Sequence, residues 1–206
     1  MTSYRGLVVT LASLLVLLVT RGALAGPPTE QLQVKIDSVI KILSDPALKA
    51  AGKTHERRRA LRNISNDIFD WTEMAKRALG RHWHGRTEAE RDKFVKLFRD
   101  VLERSYTSTI ERYGGEKIVY VGDSIDGDQA TVRTKFITKQ GQEVPIDYRM
   151  VSHGARWLIY DVVVENVGLV SNYRTQFNEI IRTSSYQELV QRIKTQEPVK
   201  TAKDRR

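Results

Sequence analysis

Residues 117–164 read KIVYVGDSIDGDQATVRTKFITKQGQEVPIDYRMVSHGARWLIYDVVV. Apolar and polar residues alternate through this stretch with a period of two, which is the pattern of strands that turn one face to a core. Asp126-Gly127-Asp128, Gln140-Gly141-Gln142 and His153-Gly154 interrupt the alternation, each with turn chemistry at hairpin length. The reading is an antiparallel meander of four strands, about 117–122, 129–138, 143–152 and 155–164. In the third, Val144, Ile146, Tyr148 and Met150 face one way and Glu143, Asp147 and Arg149 the other. The fourth is apolar on both sides, with Trp157, Ile159 and Val163 set against Leu158, Tyr160, Val162 and Val164, so cover is expected on both of its faces.

Outward from the sheet the period becomes helical. Thr29 is expected to cap a first helix bearing Leu32, Ile36, Val39, Ile40 and Leu43, which Asp45-Pro46 ends. A second helix, 54–68, carries Arg57, Arg58 and Arg59 on what reads as a solvated face. Asp70 and Glu73 stand in capping-box relation before Met74, Ala78 and Leu79, and Gly80 stops that helix. Thr87 and Glu90 repeat the device and start the longest helix, about 88–113, with a stripe of Phe94, Leu97, Phe98, Val101, Leu102 and Tyr106. Beyond the sheet, helices are expected at about 167–182 and after Ser185, which is spaced to cap toward Glu188.

Residues 1–25 read as a cleaved signal peptide: Arg5, an apolar run from Leu7 to Val19, and the small residues of Ala23-Leu24-Ala25. The 13-residue run is short of the ~20 apolar residues that a spanning helix needs. Residues 26–195 form the expected domain, and 196–206, with Lys200, Lys203, Arg205 and Arg206, a basic flexible tail. The 206-residue chain has 34 Lys and Arg against 25 Asp and Glu, a formal charge of +9, and removal of Arg5 and Arg21 with the signal leaves +7. An exported basic protein meets anionic lipid or acidic partners, not nucleic acid. With no cysteine in the chain, disulfides, thiolate metal sites and cysteine nucleophiles are excluded.

Chemistry-bearing residues are sparse. His55, His82, His84, His153, Asp147 and Asp161 form no recognised catalytic constellation, and His82 and His84 diverge on a helix with no third ligand nearby, so neither metal nor cofactor is expected. Asp123, Asp126 and Asp128 lack EF-hand spacing and read as turn residues. Asp161 lies inside an apolar run, where a carboxylate is either a base of raised pKa or, on the simpler reading, a structural group tied to an Arg or to backbone N–H groups. The aromatics Phe69, Trp71, Trp83, Phe136, Tyr148, Trp157, Tyr173 and Phe177 exceed the need of one thin core. Either a filled core leaves one exposed patch, or an internal cavity holds a hydrophobic ligand.

The stretch 158–189, LIYDVVVENVGLVSNYRTQFNEIIRTSSYQEL, closely resembles the signature of the toluene-tolerance family, the MlaC-type periplasmic lipid-binding components of an ABC lipid transporter. The resemblance rests on Tyr160-Asp161-Val162 followed by Asn172-Tyr173-Arg174 and Gln176-Phe177. Upstream, Phe69-Asp70, Met74-Ala75, Ala78-Leu79-Gly80 and Trp83 match in order and spacing, as do Phe94, Phe98, Leu102 and Tyr106, so the likeness covers about residues 30–195. The chain departs at Asn166 and Gly168, where the family usually carries Gly and then Ser.

The resemblance implies an NTF2-like α+β fold, with a four-to-five-strand antiparallel sheet packed against several helices around an apolar cavity. It implies a non-enzymatic periplasmic carrier of phospholipid acyl chains. Such a carrier shuttles between an outer-membrane lipoprotein–porin complex and an inner-membrane MCE-domain protein of the ABC transporter, maintaining outer-membrane lipid asymmetry. Some relatives of the resembled family sit beside hopanoid pathways, so a hopanoid or another hydrophobic ligand is the alternative cargo, and the rival readings are an NTF2-like periplasmic enzyme and a lipid-free adaptor. By resemblance and inward-facing pattern the expected lining is Phe69, Met74, Leu79, Trp83, Phe94, Phe98, Leu102, Val132, Phe136, Tyr148, Trp157, Ile159, Val163, Tyr173 and Phe177. Arg149 and Arg174 are the candidates for the mouth, where a guanidinium meets a phosphate.

Overall fold

The meander forms one antiparallel sheet in the order β1-β2-β3-β4-β5: β1 Lys117–Asp126, β2 Gln129–Ile137, β3 Glu143–His153, β4 Arg156–Val164 and β5 Val167–Gly168. The computed structural model describes residues 26–50 and 52–195, so the expected signal peptide and basic tail lie outside the described residues. Helices α1 Pro27–Ser44, α2 Pro46–Lys49, α3 Thr54–Ile68, α4 Trp71–Leu79 and α5 Glu88–Glu111 precede the sheet, and α6 Leu169–Thr183 and α7 Tyr186–Thr195 follow it. The residue pattern marks neither the short α2 nor the two-residue β5, which is the fifth strand of the four-to-five that the resemblance implied. Asp45-Pro46 does end α1, but the Asp45 carboxylate also accepts the Ala47 N–H and so starts a new turn. The β5 strand exists because Glu165 and Asn166, at φ 49° and 65°, turn the chain back on itself, and Val164 then pairs with Val167. Asn tolerates positive φ better than most residues, which accommodates it where the resembled family usually carries Gly.

Thr29 does not cap α1; the N-cap is Gly26, and the capping oxygen comes from the sheet. Asp123 Oδ2 of β1 accepts from the backbone N–H of Gly26 (3.1 Å) and of Thr29 (3.1 Å), and from the Thr29 hydroxyl (2.7 Å). A Cβ at position 26 would lie 2.7 Å from the Asp123 carboxylate, which is why glycine stands there. Asp123 is therefore a cap supplied in trans, not a turn residue. The local caps are where the sequence put them: Asp70 accepts from Glu73, Thr87 and Glu90 form a full capping box, and Ser185 accepts from the Glu188 N–H.

Two β-bulges set which side chains face which way. In β1, Val121 is extra between the Tyr120–Thr134 and Gly122–Arg133 pairs. In β4, Tyr160 is extra between the Met150–Ile159 and Arg149–Asp161 pairs. The β4 bulge inverts the expected alternation, so Trp157, Ile159, Val162 and Val164 share one face, and Val163 moves to the other, opposite Gly168 of β5.

Each face of the sheet has its own core. On one, α1 and α3 lie over Val132, Met150 and Ile159, with Leu32 and Ile68 completing the cluster. On the other, α4 and α6 pack against β4, and with α5 and α7 they enclose the larger helical core around Phe94, Phe98, Tyr173 and Phe177. Phe69, between α3 and α4, packs against both, and its neighbour Asp70 donates its N–H to the Ile159 carbonyl (2.9 Å).

Arg58 and Arg59 of α3 are exposed, as expected of a solvated face, and Arg57 is half-buried. Arg57 and Arg58 both bond Glu111 of α5 (3.0 and 2.8 Å), and Arg62 pairs with Glu103 (2.8 Å), which makes the α3–α5 seam polar. Hydrogen bonds from Arg58 and then Arg57 hold the Glu111 carboxyl below its ordinary pKa. A depressed folded-state pKa means stability present at neutral pH and lost as pH falls through that value. Glu111→Gln is therefore expected to lower the thermal midpoint at pH 7, with the difference shrinking in high salt and at pH values below the ordinary carboxylate range. Asp123→Ala is expected to cost ~1–2 kcal/mol in urea unfolding, the size of a lost helix cap, and Gly26→Ser added to it should recover part by restoring a local cap.

Candidate functional site

The sheet face beneath α1 and α3 grades from packed to open. Val132, Met150 and Ile159 are fully buried, and next to them Tyr120, Tyr148, Trp157 and Val162 are half-buried. Further along the same face Ile118, Phe136, Val144 and Ile146 are also only half-buried, and Val164 at the edge is 40% exposed. The result is an apolar trough that the chain's own helices do not fill. At the opposite end of the trough a cleft of about 440 Å³ opens between α1, the end of α3 and the start of β4. Leu32, Ile68, Met150 and Trp157 line its apolar part. Asp67 sits on its rim, bonded to Lys35 and to Arg156 (2.8 Å). The volume is in the lower part of the ~300–1,000 Å³ range of small-ligand sites.

The residues named as lining from the sequence divide between the two faces. Val132, Phe136, Tyr148, Trp157 and Ile159 come together on the trough side. Met74, Leu79, Trp83, Phe94, Phe98, Leu102, Tyr173 and Phe177 come together in the helical core behind β4. There Phe98 meets Tyr173 at 5.3 Å and Phe177 at 5.5 Å, both edge-on, the preferred geometry of packed rings. Phe69 touches both groups, and Val163 faces away from the trough. Ile118, Tyr120, Val144 and Ile146 belong to the trough and are absent from the sequence-based lining. The alternation in β3 already placed Val144 and Ile146 beside Tyr148, so the signal for two of them was present.

Both mouth candidates are engaged within the protein, away from the trough. Arg149 bonds Asp161 (3.3 Å) on the opposite sheet face, and Arg174 donates to the Arg77 carbonyl (2.7 Å), joining α6 to α4. Asp161 is 4% exposed and accepts the Val170 N–H (2.9 Å), so it caps α6 from β4 as Asp123 caps α1 from β1. The N-cap of α6 is again a glycine, Gly168, where a Cβ would lie 3.0 Å from the Asp161 carboxylate. Burial raises the pKa of Asp161, against the opposing pull of the Val170 N–H and Arg149. Among the described residues no three His, Cys, Asp or Glu side chains cluster as a metal site, and no helix is long and apolar enough to cross a membrane.

Fold and site together define an α+β protein whose antiparallel sheet carries a helical core on one face and an apolar trough on the other. Residues 33–195 match the model of the MlaC protein family, and the chain belongs to that family. Among known proteins, the intermembrane phospholipid transport system binding protein MlaC of Haemophilus influenzae is 23% identical over 117 residues, 53% of this chain and 55% of that protein. The chain thus spans about half the length of this curated relative. A phospholipid-binding protein from Ralstonia solanacearum, solved in complex with a phospholipid, has the same fold. Its TM-score is 0.72 at 22% identity, over 82% of this chain and 95% of that one.

The Asp161 geometry makes a separable expectation. Asp161→Asn keeps an acceptor for the Val170 N–H and should fold normally, whereas Asp161→Ala strands that N–H and should cost ~1–3 kcal/mol. Because the folded state raises this carboxyl's pKa, wild-type stability should decline as pH rises from the ordinary aspartate value through the folded one. Urea unfolding over a pH series should show that decline absent from Asp161→Asn.

Proposed function

We propose that this protein is a periplasmic carrier that holds phospholipid acyl chains against the apolar sheet face and moves lipid between the two membranes. The observation that carries the reading is the unfilled trough, a sheet face of Ile118, Phe136, Val144 and Ile146 left half-buried beyond the cluster that α1 and α3 cover, in a chain of the MlaC family. Water-exposed apolar surface of this extent is unfavourable unless something covers it. A two-tailed phospholipid has ~30 methylenes at ~0.8 kcal/mol each, so its unaided crossing of an aqueous space costs on the order of 20 kcal/mol or more. The trough offers the apolar surface that such a crossing lacks.

The partners in this reading are a phospholipid, an inner-membrane MCE-domain protein of an ABC transporter and an outer-membrane lipoprotein–porin complex, and the outcome is maintained outer-membrane lipid asymmetry. Export by a signal peptide over residues 1–25 and a domain spanning 26–195 belong to the same reading. No chemical step is involved, and the engagement of Asp161 as a helix cap supports this, since it takes the strongest candidate base out of service. The lining we propose centres on the trough residues Val132, Phe136, Tyr148, Trp157 and Ile159 together with Ile118, Val144 and Ile146.

Organic extraction of the purified protein followed by mass spectrometry tests the reading. Near-stoichiometric diacyl lipid is expected. Protein that is empty, and that takes up no lipid from phosphatidylethanolamine–phosphatidylglycerol vesicles, overturns it. Ile146→Asp, which puts an unpaired charge in the trough, should lower occupancy by tenfold or more in a folded protein.

A further inference from the structure

Three hydroxyls interrupt the apolar trough, two of them phenols. Tyr120 of β1 and Tyr148 of β3 stand on the same sheet face, flanking β2, where Tyr120 pairs with Thr134 and Tyr148 with Val132. Both pack against the cluster of Leu32, Val132 and Met150, at the boundary between the packed and the open part of the face. The third hydroxyl there, on Thr134, is satisfied by the Ile146 carbonyl at 2.9 Å. The Tyr120 hydroxyl differs: it is buried, and it has no hydrogen-bond partner among the described residues. Burial raises its pKa, with Asp37 and Tyr148 adding to the effect, and burial pushes that of Tyr148 up to about 12, so both phenols keep their protons and can donate.

A buried donor without an acceptor costs free energy, and native folds rarely leave one without a reason. Tyr120 would bury the same ring as phenylalanine, so its hydroxyl is the feature to explain. An acyl chain supplies no acceptor, but the ester groups that join acyl chains to glycerol supply carbonyl oxygens at the top of the tails.

We propose that Tyr120, with Tyr148 beside it, is a specificity-determining residue that donates a hydrogen bond to an ester oxygen of a glycerolipid in the trough. This rests on the carrier reading above and adds to it a ligand chemistry. A cargo made only of hydrocarbon leaves the donor unpaired and is disfavoured. A site built to hydrogen-bond its ligand rejects an analogue lacking the acceptor more strongly than an apolar pocket rejects a change of shape.

The test compares wild type with Tyr120→Phe, loaded from phosphatidylethanolamine–phosphatidylglycerol vesicles doped with squalene and read by native mass spectrometry. Wild type should take phospholipid in preference to squalene, and Tyr120→Phe should lose about tenfold of that preference, equivalent to ~1.4 kcal/mol, with squalene uptake unchanged. The lipid-free variant should melt at or above the wild-type temperature, because the hydroxyl has no partner to lose. Its rise in melting temperature on adding phospholipid should be smaller than that of wild type. An unchanged preference in the folded variant overturns the proposal while leaving carriage intact, and so does a lower melting temperature of the lipid-free variant, which would mean a protein partner for the hydroxyl. Wild type that takes up neither probe overturns carriage, and this proposal with it.

Discussion

Two buried or half-buried carboxylates, each reaching from a strand to the start of a helix, hold the layers of this protein in register. Asp123 of β1 binds the first N–H groups of α1, and Asp161 of β4 binds the second residue of α6. The first turn of a helix exposes unpaired N–H groups at the positive end of its dipole, so an anion there satisfies bonds and charge together. Because the carboxylate comes from the sheet, the same bonds that start each helix also fix where it lies. Glycine at Gly26 is the steric counterpart of the first cap, since a Cβ there would lie 2.7 Å from the Asp123 carboxylate. Asp161, whose simpler reading in the sequence is a structural carboxylate tied to an Arg or to backbone N–H groups, is tied to both, Arg149 and the Val170 N–H.

The placement of α1 decides the character of the trough. Anchored at Asp123, α1 crosses one sheet face with α3 and seals Val132, Met150 and Ile159, but leaves Phe136, Val144 and Ile146 partly uncovered. On the other face the helical core is complete, with stacked and edge-on rings and fully buried Phe94, Phe98 and Tyr173. The contrast matters for function, because a filled core gives rigidity while an unfilled apolar face keeps capacity for a ligand. The polar seam of Arg57, Arg58 and Arg62 with Glu111 and Glu103 joins the α3 layer to the helical core without apolar interlock. Such contacts are weaker and more salt-sensitive than buried apolar packing, so the seam is the softer of the joints around the trough.

The β4 bulge at Tyr160 shows how one residue redistributes a site. It lets Ile159 face the trough core while Tyr160 reaches the helical side, where its ring lies 3.9 Å beneath the Arg77 guanidinium and its hydroxyl bonds Gln129. It also turns Asp161 toward α6 and Val163 toward Gly168. Without it the strand would present its side chains to the opposite faces beyond this point, and the α6 cap would be lost.

Much of the architecture was legible in local pattern. The two-residue period marked β2, β3 and β4 to within a residue or two, the 3.6 period marked α3 over its whole length, and Asp70, Thr87 and Ser185 announced their caps because a local cap is written within four residues. The family, too, was readable from residues 158–189. What local pattern could not carry was any interaction between distant residues. The trans caps at Asp123 and Asp161 span 97 and 9 residues, the Arg57–Glu111 pair spans 54, and a bulge leaves no mark on composition while inverting a strand. Apolar periodicity says that a side chain leaves water but not which of two cores receives it. The sequence by itself therefore determined the elements, their local caps and the family. Only the tertiary structure decided which apolar residues pack and which stay open, because that depends on where helices anchored by distant carboxylates come to lie on the sheet.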